Sequence, residues 1–469
     1  MSGALAHLLH DALMLRRHGI ESVSGERVSP DFLLALAENV RRALAGQNIA
    51  SHEPVHVVIG NRPSDLGALL GVWQAGAVAV PIHVSAAPST VERVRRISRA
   101  RFAIDGERLD PIAEAPPPSR PLLHGAALVI FTSGSTGEPK GVVIGHQRLA
   151  DKLAVLDALL KIRSDDVVLL PLQLTFIFGL WVGLLALSKH ARLILVPKFS
   201  SEAMERGFVE ASVLAGVPSM FRTLLGYPAV AAPKLRAILT GGEVLPAALA
   251  RSLLQFATVT IHDLYGLTET GSCDFCLAPA DQPQGFGTIG RPTDRVDFRL
   301  QRDGRTVSHG ETGELQIRTP FGMLGYLDNA ELTAAAFDEG YFCTGDLARM
   351  TDGGYVELIG RAKDIISRGG NKIAPLEIDN LLAEHPGIAA ALCAGVPDER
   401  LGEVVHAVIV PRAGAEIDAA ALRDWLMART ERFKVPDAFH IRDALPSGAS
   451  GKADRRAVTQ LAASAGKPR

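Results

Sequence analysis

The chain has 469 residues, 47% of them hydrophobic and 21% charged, with a formal net charge of −2. That length exceeds one hydrophobic core and calls for two or three domains, and the composition excludes wholesale disorder. The near-neutral balance leaves no global field for nucleic acid or an anionic membrane. Four cysteines are too few for a disulfide framework, so a reducing, cytoplasmic setting is expected.

At the N-terminus Leu5, Leu8, Leu9, Ala12 and Leu13 fall at helical spacing, with Asp11, Arg16 and Arg17 among them. The stretch lacks an uninterrupted apolar run ahead of a small-residue cleavage site, so it does not read as a signal peptide. Ser29-Pro30 offers an N-cap and first turn to a helix carrying Leu33, Leu34, Leu36, Ala37 and Val40. Residues 55–60 then predict a buried strand, 66–74 a helix, 77–82 a strand and 90–98 a helix with a basic face. Helices alternating with apolar strands argue for an α/β sheet with parallel strands. A Pro-rich linker covers residues 111–121.

Residues 131–141 read Phe-Thr-Ser-Gly-Ser-Thr-Gly-Glu-Pro-Lys-Gly, with four hydroxyl side chains, three glycines and one lysine between two apolar strands. Such a loop exposes backbone N–H groups with little side-chain bulk, and can wrap phosphate oxygens. Most loops of this composition are plain hairpins. The P-loop pattern fails, because Glu138 and Pro139 separate Gly137 from Lys140 and no Ser or Thr follows the lysine.

No charged residue occurs from Val167 to Ser188, a length that invites a membrane reading. Pro171, Gln173 and Thr175 dilute it and no aromatic belt flanks it, so a strand, a turn at Pro171 and a buried helix are expected instead. Further βα units follow, with glycines at strand ends near 216 and 241–242, where open α/β sheets place ligands. Cys273 and Cys276 have CxxC spacing but no second ligand pair, and read as two small buried hydrophobes. Residues 285–290 match GxGxxG, yet they follow a polar loop instead of a strand, and the dinucleotide reading fails. Beyond 297 the pattern turns to short strands. A charged, Gly-containing connector spans 361–373, followed by a compact unit with helices at 375–383 and 419–429 and strands near 388–396 and 403–410. The last eight residues are expected to be disordered.

Five segments in order resemble the signatures of the adenylate-forming (AMP-binding) superfamily. They are residues 132–141; Leu-Tyr-Gly-Leu-Thr-Glu-Thr at 264–270; Tyr-Phe-Cys-Thr-Gly-Asp at 341–346; Gly-Arg-Ala-Lys-Asp at 360–364 with Ser-Arg-Gly-Gly-Asn at 367–371; and Ser-Gly-Lys at 450–452. The resemblance covers nearly the whole chain and is strongest to acyl-CoA synthetases. It implies an α/β fold with a large N-terminal domain (1–361) of layered mixed sheets plus a small β-barrel-like module. A small mobile α+β C-terminal domain (362–469) would carry the catalytic lysine.

The implied reaction turns an unreactive carboxylate into an acyl-adenylate at the expense of ATP, then passes the acyl group to the thiol of coenzyme A. Positive charge is wanted where the carboxylate meets the α-phosphate. By resemblance Lys452 supplies it, with Thr268 near the phosphates and Glu269 on the Mg²⁺ side. Thr132, Ser133, Gly134, Ser135, Thr136, Gly137 and Lys140 would hold the β,γ-phosphates. Gly242, Glu243 and Gly266 would belong to the nucleotide-binding residues, with Tyr265 stacked on adenine, while Asp346 and Arg361 would bind the ribose hydroxyls. Lys363 matches the pivot on which the C-terminal domain turns between half-reactions, bringing Gly369 and Gly370 to line the thiol's tunnel. Arg429, Arg432 and Lys434 are weaker candidates for the anionic end of coenzyme A.

Peptide-synthetase relatives bind a substrate amino group through an aspartate where this chain has Leu-Thr-Phe-Ile-Phe-Gly-Leu at 174–180, and many acyl-CoA synthetases carry a histidine near Phe176. With neither present, an ammonium would be costly to bury. An aromatic or medium-chain acid without an amino group is expected, walled by Phe176, Ile177, Leu180, Val217, Gly242 and Gly271. The alternatives are a ligase loading an acyl carrier protein, a non-catalytic nucleotide binder and a dehydrogenase. No membrane span is expected, and the chain reads as a monomer or homodimer.

Overall fold

The computed structural model describes residues 3–15, 19–133, 138–225, 234–256, 258–446 and 453–464. Near-continuous apolar runs make strands buried on both faces, as parallel sheets require. Two such sheets dominate. One has seven strands in the order Gly325–Tyr326, Pro139–Gly145, Ala126–Ser133, Val78–His83, Pro54–Ile59, Phe102–Asp105 and Arg108–Pro111. The four strands from Ala126–Ser133 to Phe102–Asp105 are mutually parallel, and the flanking pairs are antiparallel. The other has nine strands, in the order Arg291–Pro292, Phe275–Leu277, Thr260–Tyr265, Ala237–Gly241, Val213–Gly216, Val167–Leu170, Arg192–Leu195, Ile20–Ser22 and Arg27–Val28.

Helices pack between these sheets in one shared core. Helix Ala4–Met14 contributes Leu5, Leu9 and Leu13, and helix Pro30–Gly46 contributes Leu33, Leu36 and Val40. Ser29 caps the latter, its hydroxyl accepting from Phe32 N at 3.1 Å, as its sequence suggests. The uncharged stretch resolves into strand Val167–Leu170 and the twelve-residue helix Ile177–Ser188, whose Leu180, Trp181 and Leu184 are wholly buried. Among the described residues no helix is long and apolar enough to cross a membrane. The outer face of the nine-stranded sheet is covered by helices Ser201–Phe208, Pro218–Leu225 and Ala247–Phe256 around a second core.

The short-strand region is a six-stranded antiparallel sheet built on Asp297–Arg302, Gly313–Arg318, Tyr341–Met350 and Val356–Arg361. Strand Val356–Arg361 closes this sheet and strand Ile366–Arg368 opens the next, a five-stranded sheet with its own core of Ile366, Ile378, Leu382, Val405 and Leu426. The connector between them is the short 3₁₀ turn Ala362–Asp364. Helix Ala419–Met427 ends two residues before the position expected from the sequence. Helix Arg455–Ser464 runs into the tail expected to be disordered; residues 465–469 lie outside the described residues.

Candidate active site

Strand Thr260–Tyr265 delivers Tyr265 to the end of the nine-stranded sheet, where it meets the six-stranded one. The Tyr265 hydroxyl donates to Oδ2 of Asp346 at 2.5 Å, and Arg361 Nε donates to Oδ1 of the same carboxylate at 2.7 Å. Asp346 is buried within strand Tyr341–Met350, opposite Arg361 in the ladder. Its backbone N–H donates to the Thr344 hydroxyl at 3.0 Å, and that hydroxyl donates to the Leu315 carbonyl at 2.6 Å. Burial, then the neighbouring Asp346 carboxylate, push the Tyr265 phenol well above its usual range. It therefore stays a donor, and the paired carboxylate keeps acceptor capacity for a diol.

A second cluster forms on the loop that follows. Glu269 is half-buried; its Oε1 accepts from the Tyr326 hydroxyl at 3.1 Å, and its carbonyl accepts from Met323 N at 2.7 Å. The Lys140 ammonium lies 5.3 Å from the centre of the Tyr326 ring, within cation–π reach. Lys140 sits opposite Thr132 in the hairpin of strands Ala126–Ser133 and Pro139–Gly145. The strands on either side of residues 134–137 thus pair antiparallel, and the second places a cation beside the Glu269 cluster. Gly134, Ser135, Thr136 and Gly137, and likewise Lys452, lie outside the described residues.

Glu243 accepts from Ser219 N at 2.9 Å and from the Ser219 hydroxyl at 3.0 Å, which fixes the turn after strand Ala237–Gly241 to the start of helix Pro218–Leu225. Gly242 is exposed in that turn. Gly266 is required by packing, because a Cβ there would come 2.3 Å from Cys273 N. Thr268 is half-buried beside Glu269. Of the expected acid-pocket walls, Phe176 is 38% exposed at the N-cap of helix Ile177–Ser188, Val217 is half-buried, Ile177 is nearly buried and Leu180 is fully buried in the inter-sheet core. Leu180 is therefore the least accessible to a ligand. Gly271 approaches the Phe321 carbonyl, which a Cβ would meet at 2.5 Å.

Lys363 is exposed in the connector turn, and Gly369 and Gly370 are exposed in the turn joining strands Ile366–Arg368 and Asn371–Ile373. Lys434 is paired with Glu377 at 2.6 Å and Glu431 at 2.9 Å, so its charge is matched within the protein. Arg429 lies over the Trp425 ring at 4.2 Å, and Arg432 is exposed. Cys273 and Cys276 are buried free thiols, and burial pushes Cys273 up to about 12, which suits packing rather than ligation. Among the described residues no group of three or more His, Cys, Asp or Glu could hold a metal. A lone Glu269 fits Mg²⁺, whose remaining ligands are commonly substrate phosphates and water.

Sequence reasoning missed the contacts of Tyr326, Ser219 and Thr344, each of which reaches a segment far off in the chain. It also missed Lys152, although a lysine among Leu149, Leu153, Leu156 and Leu160 on one helix face was a visible anomaly.

A buried carboxylate held between Tyr265 and Arg361, the Lys140 strand beside Glu269 and a C-terminal unit with its own core are the features the comparisons with known proteins can place. The AMP-binding enzyme family matches residues 105–327, and its C-terminal domain matches residues 377–452. The chain belongs to these AMP-binding, adenylate-forming enzymes and is most like their acyl-CoA synthetases. It is 32% identical over 448 residues to a feruloyl-CoA synthase of Amycolatopsis sp, covering 89% of this chain and 91% of that one. It is 35% identical over 345 residues to an indoleacetate–CoA ligase of Aromatoleum aromaticum, covering 72% and 67%. Among solved structures it resembles ATP-bound MatB from Rhodopseudomonas palustris, with a TM-score of 0.87, 25% identity and 98% and 99% coverage.

Proposed function

We propose that the protein is an acid–CoA ligase that activates an aromatic or medium-chain carboxylic acid through an acyl-adenylate. The observation that carries the reading is the Asp346 carboxylate, held between Tyr265 and Arg361 with oxygen lone pairs left for a ribose diol. In the first half-reaction a carboxylate oxygen of the acid attacks the α-phosphorus of ATP. The bond to the bridging oxygen breaks, and pyrophosphate leaves with that electron pair. Lys452, Lys140 and the hairpin N–H groups would meet the developing charge. A Mg²⁺ held at Glu269 would neutralise the phosphate oxygens. In the second half-reaction the coenzyme A thiolate attacks the acyl carbon and AMP departs, the thiol proton passing to solvent.

The C-terminal unit from residue 362 would turn about Lys363 between the two steps, so that Gly369 and Gly370 replace Lys452 at the reacting centre. An apolar wall of Phe176, Ile177 and Val217, without a carboxylate, supports an acid lacking an amino group. A panel of acids assayed for pyrophosphate release with and without coenzyme A tests the reading. Turnover of aromatic or medium-chain acids with consumption of free coenzyme A supports it. Best turnover with amino acids, or acyl transfer only to a carrier protein, overturns it.

A further inference from the structure

Beneath the loop bearing Thr268 and Glu269 lies a buried ion pair that the reaction as derived does not use. Lys152, on helix His146–Leu160, and Asp274 are both fully buried, with Nζ 3.9 Å from Oδ1. Lys152 Nζ donates to the Cys273 carbonyl at 2.6 Å and lies 5.1 Å from the Phe321 ring centre. On the other side Oδ2 of Asp274 accepts from the Thr270 hydroxyl, which itself accepts from Leu267 N at 3.2 Å. The chain of contacts thus grips residues 267 and 270, the positions bracketing Thr268 and Glu269.

A pair this dry costs several kcal/mol per ion in desolvation, and an apolar pair would hold the fold as well. What the charges touch is a turn in a sparsely populated conformation. Gly271, Ser272 and Cys273 have φ of 85°, 67° and 52°. Two consecutive non-glycine residues in the left-handed region cost roughly 1–2 kcal/mol each, and such strain survives only where its surroundings over-determine it. Lys152 fixes the Cys273 carbonyl, and Trp181 Nε1 donates to the Ser272 hydroxyl at 3.3 Å. Thr293 donates to the Cys273 carbonyl at 3.0 Å.

We infer that Lys152, acting through the Cys273 carbonyl and Asp274, is a positioning residue for adenylation. It holds the strained turn so that Thr268 and Glu269 face the β,γ-phosphates of MgATP. The inference rests on the nucleotide-site reading above, in which the ribose is held separately by Asp346.

The test compares MgATP and AMP binding by calorimetry, without acid, in the full chain. The forms are wild type, Lys152→Met, and the apolar double variant Lys152→Met with Asp274→Leu, each with its melting temperature. Lys152→Met should raise the MgATP Kd about tenfold, in the range seen when groups supporting a metal ligand are lost, and leave the AMP Kd within about twofold. The double variant should regain most of the melting temperature without regaining MgATP affinity. Recovery of both together would make the pair merely structural and overturn the inference. Equal losses for AMP and MgATP would overturn it as well. A wild type that binds neither nucleotide would overturn the nucleotide-site reading itself, and the inference with it.

Discussion

The Tyr265 hydroxyl sits 2.5 Å from Oδ2 of Asp346, joining the last residue of a strand in the nine-stranded sheet to the middle of one in the six-stranded sheet. The bond fixes the carboxylate's rotamer across a junction of two sheets, with Arg361 on its other oxygen.

Tyr265→Phe keeps the ring that would stack on a base and removes only this donor. A hydrogen bond to a charged group is worth about 2 kcal/mol, so the AMP Kd should rise up to about 30-fold, with a comparable fall in unfolding free energy. Calorimetric AMP titration and urea unfolding check both. Unchanged AMP affinity would show that Asp346 is not the sugar's acceptor.

Among the described residues Glu269 has one hydrogen-bond partner for its carboxylate, the Tyr326 hydroxyl at 3.1 Å. If its carboxylate serves Mg²⁺, Glu269→Gln should raise the Mg²⁺ concentration needed for half-maximal pyrophosphate release about tenfold. Chelating the metal should stop release in the wild type. Tyr326→Phe, which frees the carboxylate without removing it, should shift that concentration far less. A Glu269→Gln enzyme with the wild-type metal requirement would remove Glu269 from the metal's shell.

Much of this architecture could be read from the residues, because apolar runs and capping chemistry act locally. The 167–188 stretch divided at Pro171 as its composition required, and Ser29 caps its helix. What could not be read were contacts between segments far apart in the chain. Nothing near Tyr326 announces that it meets Glu269, and nothing near Ser219 announces Glu243. Lys152 was legible as an anomaly on an apolar helix face, but its partner Asp274 lies on a distant loop and is visible only once the turn at 271–273 is folded. Conversely, Lys434, a candidate in sequence for the anionic end of coenzyme A, is matched by two glutamates brought together by the fold.

Among the described residues, three of the buried histidines are held far below the usual imidazole range and contribute to the response to acid. Burial, then nearby Arg95, lowers His56 to about 4; burial, then His52 and His7, does the same for His146; and burial, then Arg236, for His262. A histidine lowered on folding binds fewer protons in the native state than in the unfolded one. Its stabilisation is therefore complete above the unfolded value of 6.5 and is lost as the pH falls toward 4, about 3 kcal/mol for each. His56 also bonds Ser98 Oγ at 2.8 Å. Urea unfolding at pH 7.5 and 4.5 should show a large loss in the wild type. In His56→Gln the loss between the two pH values should shrink by roughly 2–3 kcal/mol, and an unaltered difference would exclude His56 as a source.

Lys363 occupies the middle of the connector turn Ala362–Asp364, exposed and between two sheets that share no strand. A 3₁₀ turn already sets φ near the value that proline imposes, and the N–H at its start needs no partner within the turn. Lys363→Pro should therefore fit the present arrangement at little cost. It would block any second arrangement that needs a different φ at this residue. Pyrophosphate release from acid and MgATP should stay within about threefold of wild type. Thioester formation from supplied acyl-adenylate and coenzyme A should fall on the order of 10²-fold, the loss that misplaced reacting groups produce. Equal loss in the two half-reactions would mean that the connector serves folding and not a change of domain orientation.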